Sequence, residues 1–325
     1  QIPRSCLLRN NRNGTFTDVT SQLAKELEYA GMVTSAQWFD LDMDGDQDLL
    51  LSLQWGGIVA FMNDKGRFTK KALSEKKGWW NFLLPCDVNG DGHTDIVAGN
   101  LGLNSRLKAS EAEPVRLYFN DFDGNGRKEQ VLTYFLDGKE LPFASKAELE
   151  KQMPVLKKKF LYAEDLAKAS LEDLLGKKEL KEAAVLTADY FASALLLNDG
   201  KGNFLLKALP QEAQYTMMRG AAAVQANDDN LPDILLMGNY YDSNIEMGYY
   251  DADFGTILIN RGGGNFIAST LNGSVIKGQV RHIQPITVNG QPSYLLAKNN
   301  DSAKLIRFSP PGTTAKKVAG LGRSF

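Results

Sequence analysis

Residues 40–48 carry five carboxylates within nine positions and lead directly into an apolar run. Because like charges repel strongly at this spacing, a folded loop of this kind needs a cation among its carboxylates or open water around them. Ca²⁺ takes from one short loop oxygen donors at alternate positions, a Gly at the sixth position and a closing carboxylate. A strand-like run follows the loop, whereas a helix would follow an EF-hand loop. The loop therefore predicts a calcium site between two β-strands. Its predicted ligands are Asp40, Asp42, Asp44, the carbonyl of Asp46, and Asp48.

The same pattern recurs at residues 87–95 and 121–129, each time before a β-type apolar run. Three copies in register favour Ca²⁺ over solvated turns, so we predict about three structural calcium ions, one for each loop. The predicted metal-binding residues of these two loops are Asp87, Asn89, Asp91, His93 at the carbonyl-donor position, Asp95, Asp121, Asp123, Asn125, Arg127 and Glu129.

A fourth copy of the frame, residues 225–233, has lost most of its acidic chemistry. It begins with Gln225 instead of an acid, and Asn230 replaces the turn glycine. We therefore expect the loop fold there, with little or no metal at Asp229 and Asp233.

A second repeated element is an apolar strand that runs into Asn, Asp and Gly and returns at a Phe. These turn residues tolerate positive φ, so each copy predicts a β-hairpin. Between residues 36 and 68 the order is strand, acidic loop, strand, turn at Gly56-Gly57, strand, hairpin and strand. That is a four-stranded antiparallel unit of about forty residues, and such units in a row form propeller blades. The hairpins are at residues 7–16, 61–68, 196–204 and 258–266.

We therefore predict an all-β fold: a β-propeller of four-stranded antiparallel blades, about five to seven in number, forming a single domain over residues 1–325. Residues 5–20 add a hairpin without an acidic loop. This hairpin either completes the last blade and closes the ring, which we expect, or belongs to a longer propeller. The predicted blades are residues 34–75, 80–118, 115–207, 217–270 and a degenerate one at 280–310.

Residues 145–182 break the β pattern, because Ala, Leu, Glu and Lys dominate there. Ser145 and Glu148 form a capping box, and Pro154 prevents one continuous helix. We expect a small α-helical insertion of two or three short helices. It packs on one face of the propeller or serves as a lid or partner-docking element.

The acidic loop together with the Asn-Asp-Gly-x-Gly-x-Phe hairpin resembles the FG-GAP/VCBS repeat family, whose calcium loops also occur in the integrin α-chain propeller. Residues 36–40, 78–81 and 99–106 resemble a bacterial secreted or surface group often found beside the ASPIC/UnbV module. The resemblance covers most of residues 5–310. It implies a β-propeller, a location outside the cytoplasm and a protein of a usually non-catalytic kind. We expect this protein to bind a protein or a glycan at its loop-bearing face.

Composition excludes some functions. At 325 residues and 43% hydrophobic, the chain can bury a large core. Its net charge is −2 and its basic runs are short, so nothing suggests nucleic-acid binding. No apolar run is long enough to predict a transmembrane segment. Calcium loops of millimolar affinity fill where the ion is abundant, so we expect a secreted, periplasmic or outer-surface location.

Residues for catalysis are scarce, because the chain has two histidines, His93 and His282. A Tyr/Asp-rich excursion and a Trp pair could bind a sugar or peptide, or they could be a structured loop and core residues. The alternative function is a hydrolase or lyase acting on polysaccharide. Two acids free of metal and about 5–10 Å apart in a central cleft would favour that enzyme. The candidate ligand-binding residues are Trp79, Trp80, Tyr241, Asp242, Tyr249 and Tyr250.

Overall fold

The structure is a computed structural model that describes residues 3–227, 229–244, 246–271 and 273–308. Position 228 of the fourth acidic frame and the last two residues of the predicted blade 280–310 lie outside these ranges. The strands are β1 (Leu8–Asn10), β2 (Phe16–Asp18), β3 (Met32–Phe39), β4 (Asp48–Asp64), β5 (Arg67–Trp79), β6 (Phe82–Cys86), β7 (Asp95–Gly99), β8 (Val115–Asn120), β9 (Glu129–Leu136), β10 (Lys139–Pro142), β11 (Ala184–Ala188), β12 (Ala194–Asn198), β13 (Phe204–Ala208), β14 (Met218–Val224), β15 (Asp233–Gly238), β16 (Thr256–Asn260), β17 (Phe266–Thr270), β18 (Val280–Val288), β19 (Gln291–Lys298) and β20 (Lys304–Ile306). The α-helices are α1 (Thr20–Leu23), α2 (Lys146–Gln152), α3 (Leu156–Lys159), α4 (Ala163–Lys168), α5 (Leu171–Leu175) and α6 (Lys177–Glu182).

The first large sheet has the order β3-β4-β5, and its middle strand folds back on itself. The backbone N–H of Asn63 donates to Asp48 Oδ1 at 2.7 Å, although the two residues are 15 positions apart. A straight strand of that length would separate them by about 50 Å. The chain reverses near Trp55, which has a φ of 62°, and the two glycines that follow it. The predicted turn at Gly56-Gly57 is therefore confirmed, and the sheet contains four antiparallel segments.

The second sheet has the order β13-β12-β7-β6, so it joins two distant parts of the chain. Ile96 of β7 pairs with Leu196 of β12, and residues 100–193 are inserted between these two strands. A third sheet, in the order β10-β9-β8-β11, lies inside this insertion. The predicted blades 80–118 and 115–207 were therefore wrong, because strands were assigned to blades by their order along the chain.

The inserted segment contains the helices α2 to α6, all within the predicted range 145–182. The Ser145 side chain accepts from the Glu148 N–H at the start of α2, and α2 ends before Pro154, as predicted. Five short helices form instead of two or three. Their apolar side chains pack against Tyr118, Phe122 and Val131, so in the described chain the insertion has an apolar core of its own.

The fourth sheet has the order β14-β15-β16-β17, and the fifth has the order β18-β19-β20. The N-terminal hairpin forms a separate two-stranded sheet, β1-β2. Leu7 beside this hairpin packs with Leu49 and Leu51 of the first sheet. Within the described residues the hairpin thus does not complete the last blade, and that expectation was wrong.

Four strands from four different sheets lie side by side, and we name them the central strands. β3 contacts β6, β6 contacts β14, and β14 contacts β18. All four line one cavity of about 400 Å³. Apolar clusters fill the spaces between successive sheets, for example Leu50 and Ile58 against Leu83 and Ile96. The central strands therefore give the sheets a common inner edge.

The longest α-helix of the described chain is α2, with seven residues. Because about twenty apolar residues are needed to span the hydrocarbon core, none of these helices could cross a membrane.

Candidate functional site

Each acidic frame comes directly after one β-strand and leads into the next. Asp40 comes directly after β3, Asp87 after β6, Asp121 after β8 and Gln225 after β14. The next strand begins at the ninth residue of each frame. The order of strand, acidic frame and strand is therefore the same in all four copies.

In the first loop, carboxylate oxygens of Asp40, Asp42 and Asp48 lie within 4.8 Å of one another. Asp40 Oδ2 accepts from the Gly45 N–H at 3.0 Å, and Gly45 has the φ of 95° that this sharp turn requires. Asp40 Oδ1 is buried and accepts no hydrogen bond from the described residues. Three converging anionic groups with an unfilled acceptor fit a hard cation such as Ca²⁺.

The closing acid of this loop also ties the sheet together. Asp48 is fully buried, and its two oxygens accept from the backbone N–H groups of Leu41 and Asn63. Burial raises the pKa of Asp48, and the neighbouring acids Asp42 and Asp44 raise it further. A cation at this loop would offset both effects, because it stabilises the ionised form.

The third loop repeats the geometry of the first. Oxygens of Asp121, Asp123 and Glu129 lie within 4.8 Å of one another. The Gly126 N–H donates to Asp121 Oδ2 and the Phe122 N–H donates to Glu129 Oε2, both at 2.8 Å. Burial raises the pKa of Glu129. Glu129 thus has the same role in the third loop as Asp48 has in the first.

The second loop has the same frame with one acid fewer at its first, third and ninth positions. Asp87 accepts from the N–H groups of Gly90 and Gly92, and Asp95 is fully buried with a pKa raised by that burial. The third position is Asn89, which supplies an amide oxygen where the other two loops have a carboxylate. The structure therefore does not form a group of three acids there.

Other predicted ligands stabilise the turns. Oδ1 atoms of Asp44, Asp91 and Asn125 each accept the N–H of the residue two positions further along. These N–H groups belong to Asp46, His93 and Arg127. Asp46 Oδ2 accepts from the Lys65 N–H at 2.8 Å. The structure does not bring the side chains of these residues into the three-acid groups.

The fourth frame keeps the fold, as expected. Asp233 is fully buried and accepts from the N–H groups of Ala226 and Asn260. Asn230 takes the place of the turn glycine with a φ of 60°. The predicted weakness of metal binding at Asp229 and Asp233 stays a prediction.

One asparagine in three of the four hairpins has a role that the sequence did not predict. The backbone N–H of Asn63, Asn198 and Asn260 donates to the closing acid of an acidic frame. Their side-chain amides donate to the carbonyl of the residue just before that acid. The repeat of Asn at the start of these hairpins was the available signal, but turn formation alone also explains that repeat.

The six candidate ligand-binding residues do not form one site. Trp80 is fully buried, and its indole N–H donates to the carbonyl of Lys76. It belongs to the core, so its predicted role in ligand binding is corrected. Trp79 and Asp242 line a cavity of about 500 Å³.

Tyr249 and Tyr250 line a different cavity, of about 350 Å³, together with Arg106. Tyr241 stacks edge-on against Tyr249, with ring centres 5.6 Å apart. Tyr249 is 75% exposed, whereas Tyr250 is buried and its hydroxyl bonds to Ser105. The Tyr/Asp-rich excursion thus separates into two places on the surface.

Comparison with known families gives one match, to the model of the FG-GAP-like repeat, over residues 40–98. The chain carries an FG-GAP-like repeat. The matched FG-GAP segment contains the first two acidic loops and the strands β4 to β7. No curated protein matches the chain. The link to the ASPIC/UnbV group stays a prediction.

Proposed function

We propose that this chain is a calcium-stabilised FG-GAP repeat propeller that acts outside the cytoplasm and binds a protein or a glycan through its loop-bearing face. The observation that carries the calcium proposal is the first loop. There the oxygens of Asp40, Asp42 and Asp48 converge, and Asp40 Oδ1 is buried without a donor in the part of the chain that the structure describes. Ca²⁺ held by these residues, and by their counterparts in the second and third loops, would replace repulsion with attraction.

The propeller proposal goes beyond the described sheets. Four inner strands that line one cavity support a ring of blades. We infer a single propeller domain over residues 1–325, with residues 100–193 inserted between two strands of one blade.

The extracytoplasmic location is also a proposal. It is supported by the FG-GAP-like repeat and by the use of low-affinity calcium loops, which fill where Ca²⁺ is abundant. The non-enzymatic role rests on the family resemblance. The two central cavities have one carboxylate in their described lining, Asp242, which pairs with Arg281 at 3.2 Å. No specific observation favours the hydrolase or lyase, which stays an alternative.

Calorimetric calcium titration of matched variants tests the metal proposal. Asp42→Ala removes an acid of the three-acid group, and Asp229→Ala removes an exposed acid from the fourth frame. We expect wild type and Asp229→Ala to bind about three ions, and Asp42→Ala to bind about two. Equal binding by all three proteins, or no binding by wild type, would contradict the proposal.

A further inference from the structure

The 500 Å³ cavity lies at the end of the central strands that is remote from the acidic loops. Thr34 lines it near the start of β3, Asn81 just before β6, Arg219 near the start of β14 and Arg281 near the start of β18. The acidic loops follow the opposite ends of β3 and β6. At about 3.3 Å per residue, the two regions are separated by roughly 15–20 Å. The cavity is therefore distinct from the calcium loops. We name it the basic cavity.

The basic cavity carries an excess of positive charge. Its described lining contains two guanidinium groups, Arg219 and Arg281, and one carboxylate, Asp242. Asp242 pairs with Arg281 at 3.2 Å. The adjoining 400 Å³ cavity shares both arginines and has no carboxylate in its described lining. One positive charge is thus left over in a chain whose net charge is −2.

The unpaired positive charge of the basic cavity belongs to Arg219. Within the described residues its guanidinium has no carboxylate partner, and its polar contacts are Asn81 Oδ1 and Met217 Sδ, both 3.3 Å from Nη1. Burial and then Arg281 lower the pKa of Arg219, although a guanidinium stays protonated in proteins. Removing an unpaired charge from water costs free energy. An anion in the basic cavity would offset that cost.

The basic cavity is also lined by neutral polar side chains, among them Gln54, Ser243 and Asn244. Trp79 lines it too, and its ring is held edge-on by Trp55 and Phe191, with ring centres 5.3 and 5.2 Å away. Because the lining combines amides and a hydroxyl with an unpaired guanidinium, the complementary ligand carries hydroxyls and an anionic group.

Tyr240 fixes the position of the arginines. The guanidinium carbons of Arg219 and Arg281 lie 5.6 and 5.9 Å from the centre of its ring. Such cation–π contacts hold a guanidinium fork in place and leave its edge free for bidentate contact with a carboxylate. Thr34 and Gln54 add a hydroxyl and an amide to the lining.

We propose that the basic cavity binds a small hydroxylated carboxylate, the chemistry of a sugar acid. Its carboxylate contacts Arg219, and its hydroxyls contact the amides of Gln54 and Asn244. The cavity volume lies within the range of about 300–1,000 Å³ that is usual for small-molecule sites. The proposal does not depend on the calcium loops.

Calorimetry of the full chain in saturating Ca²⁺ tests it with four probes: glucuronate, galacturonate, glucose and acetate. We expect at least one uronate to bind at least tenfold more tightly than glucose, which lacks the carboxylate, and than acetate, which lacks the hydroxyls. Equal binding of acetate and the uronates would overturn the sugar-acid assignment. No binding of either uronate would overturn the proposal.

Two arginine variants separate binding from folding. Arg219→Met should weaken uronate binding about ten- to hundredfold and raise the melting temperature of the ligand-free protein, because a buried unpaired charge is lost. Arg116→Met is the control, since Arg116 pairs with Glu140 in the inserted sheet. It should lower the melting temperature and leave uronate binding unchanged. A lower melting temperature for Arg219→Met, or unchanged uronate binding, would overturn the proposal.

A third variant tests the neutral lining. Gln54→Met keeps the length of the side chain and removes its amide. We expect uronate binding to weaken about tenfold. Unchanged uronate binding would overturn the contact proposed between the ligand's hydroxyls and Gln54. The calcium proposal is tested by the number of ions bound and this one by uronate affinity, so failure of the two is distinguishable.

Discussion

Asn260 shows how much one side chain contributes to this fold. It is fully buried, and its amide donates to the carbonyls of Val88, at 2.7 Å, and Pro232, at 3.0 Å. Its Oδ1 accepts from the Gly262 N–H at 2.9 Å. Val88 belongs to the second acidic loop and Pro232 to the fourth frame. One asparagine therefore joins a hairpin to the loops of two sheets.

Asn260→Ala should lower the free energy of unfolding by about 2–4 kcal/mol, because three hydrogen bonds are lost and two buried carbonyls remain without a donor. Urea unfolding measures this change. Asn10→Ala is the matched control, since Asn10 is exposed and its side chain accepts only from the Arg12 N–H. It should change stability by less than about 0.5 kcal/mol. Equal effects of the two substitutions would contradict the role given to Asn260.

At the scale of elements, the acidic loops differ in charge although they share one frame. The first, third and ninth positions carry three carboxylates in the first and third loops. The second loop has Asn89 at the third position, and the fourth frame keeps only Asp233. Calcium affinity rises with the number of charged ligands. We therefore expect the first loop, which has Asp44 as a fourth carboxylate at its fifth position, to bind most tightly and the fourth frame to bind least.

Asn89→Asp should tighten calcium binding at the second loop about tenfold, because it adds a carboxylate. The same substitution should destabilise the calcium-free protein, since Asn89 Nδ2 now donates to Asp91 Oδ2 at 2.9 Å and two carboxylates would repel there. Calcium titration and thermal unfolding in chelator measure the two effects. A calcium-free variant that is more stable than wild type would contradict the expected repulsion between Asp at position 89 and Asp91.

The sequence predicted the loops and hairpins well because their signals are local. Gly45, Gly92 and Gly126 all have positive φ at the same place in three loops, as their spacing indicated. The pairing of Ile96 with Leu196 could not be predicted in this way. Any apolar strand with the same alternation could pair with β7, so the pattern does not identify β12 as its partner. The entropic cost of a long insertion grows only slowly with its length, so an insertion between paired strands is not excluded either.

The basic cavity was also beyond prediction from the sequence. Its residues come from several strands and loops far apart in the chain, and no short motif connects Trp79 with Arg219 or Arg281. Trp80, next to Trp79, was predicted with the same role but is buried in the core. Which of two neighbouring side chains faces the centre depends on the packing of the sheets.

At the scale of the whole molecule, the two ends of the central strands have opposite chemistry. The first two acidic loops follow one end of β3 and β6, and the basic cavity opens at the other. Successive sheets share apolar clusters, so a change in one loop acts on the packing of its neighbours. We therefore expect calcium to stabilise the molecule as a unit.

Thermal unfolding in excess Ca²⁺ and in chelator tests this central claim most directly. A ligand present at about tenfold its dissociation constant stabilises a site by roughly 1.4 kcal/mol, so three loops should raise the melting temperature by about 6 °C. Mg²⁺ should stabilise less, because it prefers a smaller octahedral site. Identical melting curves in Ca²⁺ and in chelator would contradict the account of the acidic loops as structural calcium sites.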